Sequence, residues 1–413
     1  MAAAPVPSPN VFRHRDFARF CGGRFLANLG VQAHAVTIGW VVYTVARQTH
    51  SVPESAFLVG MVGLAQFLPL FAFSLVAGGV ADRHDRRKVS LLCLMGDLLV
   101  VGAMALLASR PHGSLPALFA LSALFGVVRA FLGPASAALG PMLVPREELP
   151  RAIAWNQLAF QSASILGPVV AGGLIAVSPS VAFLGSGAAY LGSAALLFAI
   201  RGNTMPERQE GSRIAQIREG LVYVWTNRIV LGAISLDLFA VLLGGATALL
   251  PVFARDVLHI GPEGFGILRS SPAVGAVLMA LALSRWPIRR RAGTWMFGGV
   301  AVFGVATIAF ALSRWLPLSA VALAVLGAGD MVSVYVRQSL VQLATPDHMR
   351  GRVSAVSYLF IGASNELGEF ETGVVARVLG PVGAALFGGI GSLAVTGLWT
   401  RLFPALRRAD RLV

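Results

Sequence analysis

Twelve apolar runs, each long enough to cross a bilayer, are strung along this chain with mostly short polar connections between them. A hydrocarbon core of about 30 Å takes about 20 residues of helix. The runs fall at roughly 20–46, 55–81, 89–109, 116–140, 152–177, 181–200, 229–253, 265–285, 295–313, 317–341, 352–376 and 382–403, numbered here as spans 1 to 12. The fold class this implies is an all-α membrane protein of twelve transmembrane helices. With 56% hydrophobic and 13% charged residues, the chain carries more apolar surface than a water-soluble fold could bury.

A net charge of +14 would suggest a nucleic-acid partner in a soluble protein. Here the basic residues fall between the apolar runs, so the expected partner is the lipid bilayer and no nucleic acid is expected. Cytoplasmic loops retain an excess of Lys and Arg. The segments 13–19, 83–88, 146–151, 201–228, 285–291, 350–352 and 401–411 hold 24 basic residues, against five on the other side: Arg47, Arg110, Arg255, Arg314 and Arg377. That asymmetry predicts a multi-pass protein of a bacterial inner membrane with both termini cytoplasmic. The first run exceeds a cleavable signal in length, so span 1 is expected to be retained.

Cys21 and Cys93 have neither metal spacing nor an oxidising loop around them and read as packing residues. No nucleotide-binding loop and no metal-spaced His or Cys set is present. Neither an enzyme nor a cofactor or metal site is therefore expected, and energy for any transport must come from a gradient or from the substrate. A monomer is the expected state.

The longest connection, 201–228, is polar and Arg-rich and divides six spans from six. It predicts an N-terminal bundle (1–200), a cytoplasmic linker (201–228) and a C-terminal bundle (229–413), related by pseudo-symmetry. The loops at Pro145 to Arg151 and Pro346 to Arg352 share a Pro followed six residues later by Arg, an offset of 201 residues. The same offset pairs Arg129 with Asp330, and Gly167-Pro168 with Gly368-Glu369.

Ionisable groups inside a bilayer are costly and tend to face a cavity or a partner. Asp97, Arg129, Asp237, Asp330 and Glu366 fall near mid-depth, where transporter substrate and ion sites lie. Asp97 in span 3 and Arg129 in span 4 are at matching depth and are expected to pair, either as a static pair or as one that a proton or a substrate anion breaks. Glu366 and Glu369 share a helix face and should not both ionise, so one of them is poised to load and unload a proton; the alternative is hydrogen bonding with Asn365 toward span 10, near Asp330 and Arg337. Arg24, Asn28 and Gln32 form a polar stripe on span 1 that either lines a substrate cavity or bonds between helices. Arg337 and Asn365 join that list of cavity candidates. His34 lies off the stripe and reads as a packed imidazole.

Gly78-Gly79-Val80-Ala81-Asp82-Arg83-His84-Asp85-Arg86-Arg87-Lys88 joins spans 2 and 3. A plain basic loop would explain its Arg cluster but not the Gly pair and Asp-Arg at fixed spacing. It resembles the G-x-x-x-D-R-x-G-R-R signature of the major facilitator superfamily. Arg129 to Gly133 is similar to that superfamily's R-x-x-x-G element, and Gly167-Pro168-Val169-Val170-Ala171-Gly172-Gly173 to its G-P-x-x-G-G antiporter element, with Ala171 in place of a Gly. Leu143 to Leu149 and Asn365 to Glu371 add likeness to the branch of enterobactin and drug exporters. The resemblance implies a cytoplasmic gate at Gly78, Asp82, Arg83, Arg86 and Arg87, with Asp85 standing where the family has Gly. It further implies close packing at Gly167, Pro168 and Gly172 and a proton-coupling role for Arg129; with the depth reading, the proton-coupling candidates are Asp97, Arg129, Asp237, Asp330, Glu366 and Glu369. Proton-driven efflux of a small drug-like or siderophore-like molecule by alternating access is the expected function. An importer, a lipid permease or a non-transporting receptor or scaffold are the alternatives.

Overall fold

The computed structural model describes residues 11–110, 113–205, 213–288 and 290–410. Residues 206–212 of the linker, and Arg289 and Arg411 of the basic clusters, lie outside the described residues. The helices are α1 (Arg15–Ala46), α2 (Val52–Arg83), α3 (Arg86–Ala108), α4 (Leu115–Leu139), α5 (Leu149–Val177) and α6 (Pro179–Phe198). They continue as α7 (Arg213–Thr226), α8 (Arg228–Leu243), α9 (Leu250–Val252), α10 (Pro262–Arg285), α11 (Ala292–Leu312), α12 (Leu316–Ala344), α13 (Asp347–Leu402) and α14 (Pro404–Arg407). Among the described residues there is no strand.

Among the described residues, eleven helical segments are long and apolar enough to cross a membrane. The last of them, in α13, carries two predicted spans. Gly380, with φ 73° and ψ 169°, breaks the helical path immediately before Pro381, a conformation that glycine adopts without a Cβ clash. Spans 11 and 12 are therefore the two limbs of α13, and every predicted span but the seventh is a continuous helix. Several starts are written locally. Ser114, Ser178 and Asn227 cap α4, α6 and α8 by accepting backbone N–H groups, and Pro in the first turn of α4 and α6 wastes no helical donor.

Two elements differ from the sequence expectation. Span 7 is not one helix: α8 stops at Leu243, and a 3-10 turn (Ala246–Leu249), α9 and a π turn (Phe253–Val257) complete it. Gly244-Gly245 is the cause. A Cβ on Gly245 would stand 2.5 Å from Thr372 Oγ1 and 2.6 Å from the Gly368 carbonyl, and one on Gly244 would meet the Phe303 ring. Only glycines let α11 and α13 approach that closely, and two in succession weaken the helix they interrupt. The linker, for its part, holds a helix of its own, α7, which packs Leu221, Tyr223 and Val224 on the core around α8.

Packing divides the chain into two compact units: residues 1–37 with 68–209, and residues 38–67 with 210–413. In the first, α3 packs on α4 and α6. Its α5 crosses α1 at Gly167, where a Cβ would come within 2.6 Å of the Gln32 Cβ. In the second, α12 packs on α10 and α11, and α8 on α13. There α13 crosses α8 at Gly368, where a Cβ would stand 3.0 Å from the Val241 and Leu242 carbonyls. Gly167 and Gly368, related by the 201-residue offset, thus each mark a tight helix crossing.

Candidate functional site

Asp97 on α3 is fully buried, and neither carboxylate oxygen has a hydrogen-bond partner. The expected Asp97–Arg129 ion pair does not form. Arg129, half-buried on α4, instead places its guanidinium 5.7 Å from the centre of the Phe125 ring one turn back. Equal depth on neighbouring helices does not ensure that two side chains share an azimuth. Tyr190 on α6 and His34 on α1 lie nearby, fully buried and likewise without hydrogen-bond partners. His34 packs 4.1 Å from the Phe125 ring and 5.9 Å from Phe183. This cluster of unpartnered polar atoms in an apolar bundle joins three spans, and the sequence offered Tyr190 no distinguishing mark.

The helix 1 stripe faces protein. Arg24 donates to Ser136 Oγ at 2.8 Å and to Asn156 Oδ1 at 3.3 Å, Asn28 has a buried unpartnered Nδ2, and Gln32 lies against Gly167. Pro168 and Gly172 are buried beside that crossing on α5.

The signature between α2 and α3 ties helix ends together. Arg86 donates to the carbonyls of Ala138 (3.0 Å) and Ala81 (3.2 Å), and Arg87 to that of Ile200. Helix C-termini carry unsatisfied carbonyls and partial negative charge, which guanidinium groups complement. Asp82 lies 4.0 Å from Arg86, Arg83 is exposed and Gly78 is buried. Asp85, the departure from the family pattern, caps α3 by accepting from the backbone of Arg87 and Lys88, and accepts a 2.6 Å hydrogen bond from Thr204. Burial pushes its carboxyl up, but the Thr204 hydroxyl and the two backbone N–H groups outweigh that and hold it below the usual carboxylate value. Its contribution is therefore present at neutral pH and is lost as pH falls through the lowered value. Asp85→Ala should cost about 1 kcal/mol and Asp85→Asn clearly less; thermal unfolding of the purified variants checks this.

In the second unit Asp237 on α8 and Arg337 on α12 form an ion pair, each side chain 7% exposed. Arg337 also borders a cavity of about 90 Å³ between α8, α12 and α13. Its described lining mixes aliphatic residues (Ile234, Val341, Ile361) with polar ones (Arg337, Gln338, Gln342, Ser354, Ser357). Asp330 on α12 is half-buried and makes no hydrogen bond or ion pair among the described residues. Asn365 is exposed. Glu369 pairs not toward α12 but with Arg269 of α10 at 3.8 Å, and Arg269 also donates to the Thr247 carbonyl at 3.1 Å. Glu366, one turn earlier on α13, is half-buried.

The second half of α1 and the first half of α2 pack in this unit too. Trp40 stacks on Phe265 at 5.6 Å, Tyr43 donates to Asp256, and Arg47 lies 3.6 Å from Asp256. Gly60 on α2 meets Gly373 on α13 backbone to backbone, and Arg377 sits over the Phe57 ring. None of these contacts was singled out from sequence. They join residues more than 200 positions apart, and the residues carry no shared motif.

Charged groups held inside helical spans mark a membrane carrier, and the family match makes it one of the major facilitator type. The family model described as transmembrane secretion effector matches residues 8–411, and the chain belongs to that family. The multidrug efflux pump Tap of Mycobacterium tuberculosis is 28% identical over 371 residues, covering 86% of this chain and 87% of that protein. The enterobactin exporter EntS of Escherichia coli is 26% identical over 411 residues, covering 96% and 92%. Among solved structures, a bacterial homologue of the lysosomal transporter Spinster, inward-facing and unoccupied, superposes with a TM-score of 0.74 at 13% identity, covering 98% of this chain and 97% of that one. A D-xylose–proton symporter gives 0.73 at 11%, covering 96% and 99%. The family is one of transporters, not of enzymes, and the chain's ligand is a small molecule.

Proposed function

We propose that this protein is a proton-driven exporter of a small amphipathic organic molecule, sited in a bacterial inner membrane with both termini cytoplasmic and acting as a monomer by alternating access. The observation that carries the proposal is a carboxylate within a span of each half, Asp97 in α3 and Asp330 in α12, that accepts no hydrogen bond and forms no ion pair among the described residues. A proton is small enough to reach such an oxygen and to leave it again. Arg129, beside Asp97, and the Arg269–Glu369 pair supply charges whose balance a proton changes. Arg86 and Arg87 hold the cytoplasmic helix ends. The halves 1–200 and 229–413 are the two bundles, joined by 201–228. The export direction rests on the likeness to an efflux pump and a siderophore exporter.

Everted membrane vesicles with an imposed pH gradient test this against a catechol siderophore, a macrolide and a lipophilic cation. At least one compound should accumulate in an uncoupler-sensitive way. Asp97→Asn and Asp330→Asn should each cut that accumulation about tenfold or more, which is about 1.4 kcal/mol of coupling, without lowering thermal stability, because neither carboxylate has a partner to lose. Wild-type accumulation by both variants would remove the carboxylate assignment.

A further inference from the structure

The described lining of the cavity between α8, α12 and α13 combines one charged group, four neutral polar residues and three aliphatic ones. Its floor holds the Arg337 guanidinium and the Ser357 hydroxyl, whose oxygen is buried without a hydrogen-bond partner. Its mouth holds Gln338 and Gln342, one helical turn apart and both exposed, with Ser354 across from them on α13. The single formal charge on its described lining is positive: Asp237 pairs with Arg337 but is not itself among the residues bordering the space. A guanidinium carries five N–H donors, more than one carboxylate can take up. Among the described lining residues there is neither a carboxylate nor an aromatic face, the two features that stabilise an organic cation in a low-dielectric site. At about 90 Å³ the cavity is smaller than a site for a whole drug-sized molecule, so it takes one end of a substrate.

We propose that this cavity is a substrate subsite selective for oxygen-acceptor organic molecules, aryl carboxylates and related anions foremost, and that it discriminates against organic cations. Arg337 and Ser357 donate to the acceptor oxygens, Gln338 and Gln342 add polar contacts at the exposed edge, and Ile234, Val341 and Ile361 meet the apolar part next to those oxygens. The inference rests on the carrier reading and names the substrate class of that carrier.

A matched pair of fluorescent probes tests it: dansylglycine, an aryl carboxylate, and dansylcadaverine, which carries an ammonium on the same fluorophore. Binding to the full chain in lipid nanodiscs is measured by anisotropy, with empty nanodiscs subtracted. Dansylglycine should bind at least about tenfold more tightly than dansylcadaverine, and Ser357→Ala and Gln342→Leu should each weaken dansylglycine by about two- to tenfold, the worth of one hydrogen bond. Neither variant removes a charge, and an unchanged melting temperature shows that each is folded. Equal or tighter binding of dansylcadaverine overturns the proposal, as does unchanged dansylglycine affinity in both variants. Anion-selective binding without any uncoupler-sensitive flux would leave the subsite standing and overturn the exporter reading, whereas proton-driven flux with cation-selective binding would do the reverse.

Discussion

Asp237→Leu should lower the stability of this protein by about 3–5 kcal/mol, the range for stripping one partner from a buried ion pair. Both side chains of the Asp237–Arg337 pair are nearly inaccessible, so the orphaned guanidinium would have neither its carboxylate nor full solvent. The substitution Arg337→Met mirrors it by leaving Asp237 alone. The double variant Asp237→Leu with Arg337→Met removes both charges, and replacement of a buried pair by apolar groups of similar size is often neutral or stabilising. It should therefore recover most of the loss, giving a strongly non-additive cycle. Denaturant unfolding of the three purified variants in mixed micelles measures the cycle. Additive losses would show that the two residues act through separate contacts rather than on each other. The double variant also lacks the one charge among the described residues that border the cavity, so dansylglycine binding should fall while stability returns.

The bilayer made the fold legible from the amino acids. Its thickness sets a length that each apolar run must meet, and all twelve runs met it. What lay outside that rule was harder to see. Span 7 has enough apolar residues for one helix, but Gly244-Gly245 lets α11 and α13 in so closely that the helix breaks; the Gly pair was visible, its neighbours were not. Charged residues could be placed by depth but not by azimuth. Asp97 and Arg129 share a depth yet do not pair, Glu369 finds Arg269 rather than a partner on α12, and Asp237 and Arg337, considered separately from sequence, pair with each other. Gly167 and Gly368 were matched by an offset read from loops, and both prove to be tight crossings, because a repeated fold repeats its closest helix contacts. Asp85, which looked like a disturbance of a loop signature, has a local task as a helix cap and as the acceptor for Thr204.

Gly60→Val should abolish most transport, by about tenfold or more, while leaving a protein that still inserts and binds its probes. A Cβ on Gly60 would stand 2.8 Å from both the Glu369 carbonyl and the Gly373 Cα, and one on Gly373 would stand 3.0 Å from the Gly60 Cα. Backbone lies on both sides of the contact, so no flexible side chain can yield, and overpacking of this kind costs typically 1–3 kcal/mol. The penalty falls on the packed arrangement of α2 and α13, where Trp40 on Phe265, Tyr43 on Asp256 and Arg377 over Phe57 also hold the chain. With the proposed bundles 1–200 and 229–413 as the moving parts, this contact is made and broken in each cycle, so a substitution that penalises the made state shifts the conformational population rather than unfolding the protein. Gly60→Ala should show the same defect more weakly, and Gly373→Val should reproduce it. Gly102→Val, where a Cβ would have nothing within 4 Å, is the control and should transport near the wild-type rate apart from a small helix-propensity cost. Uncoupler-sensitive flux measured beside thermal stability separates the two effects. If Gly60→Val carries substrate at the wild-type rate, the α2–α13 contact is ordinary packing and takes no part in the cycle.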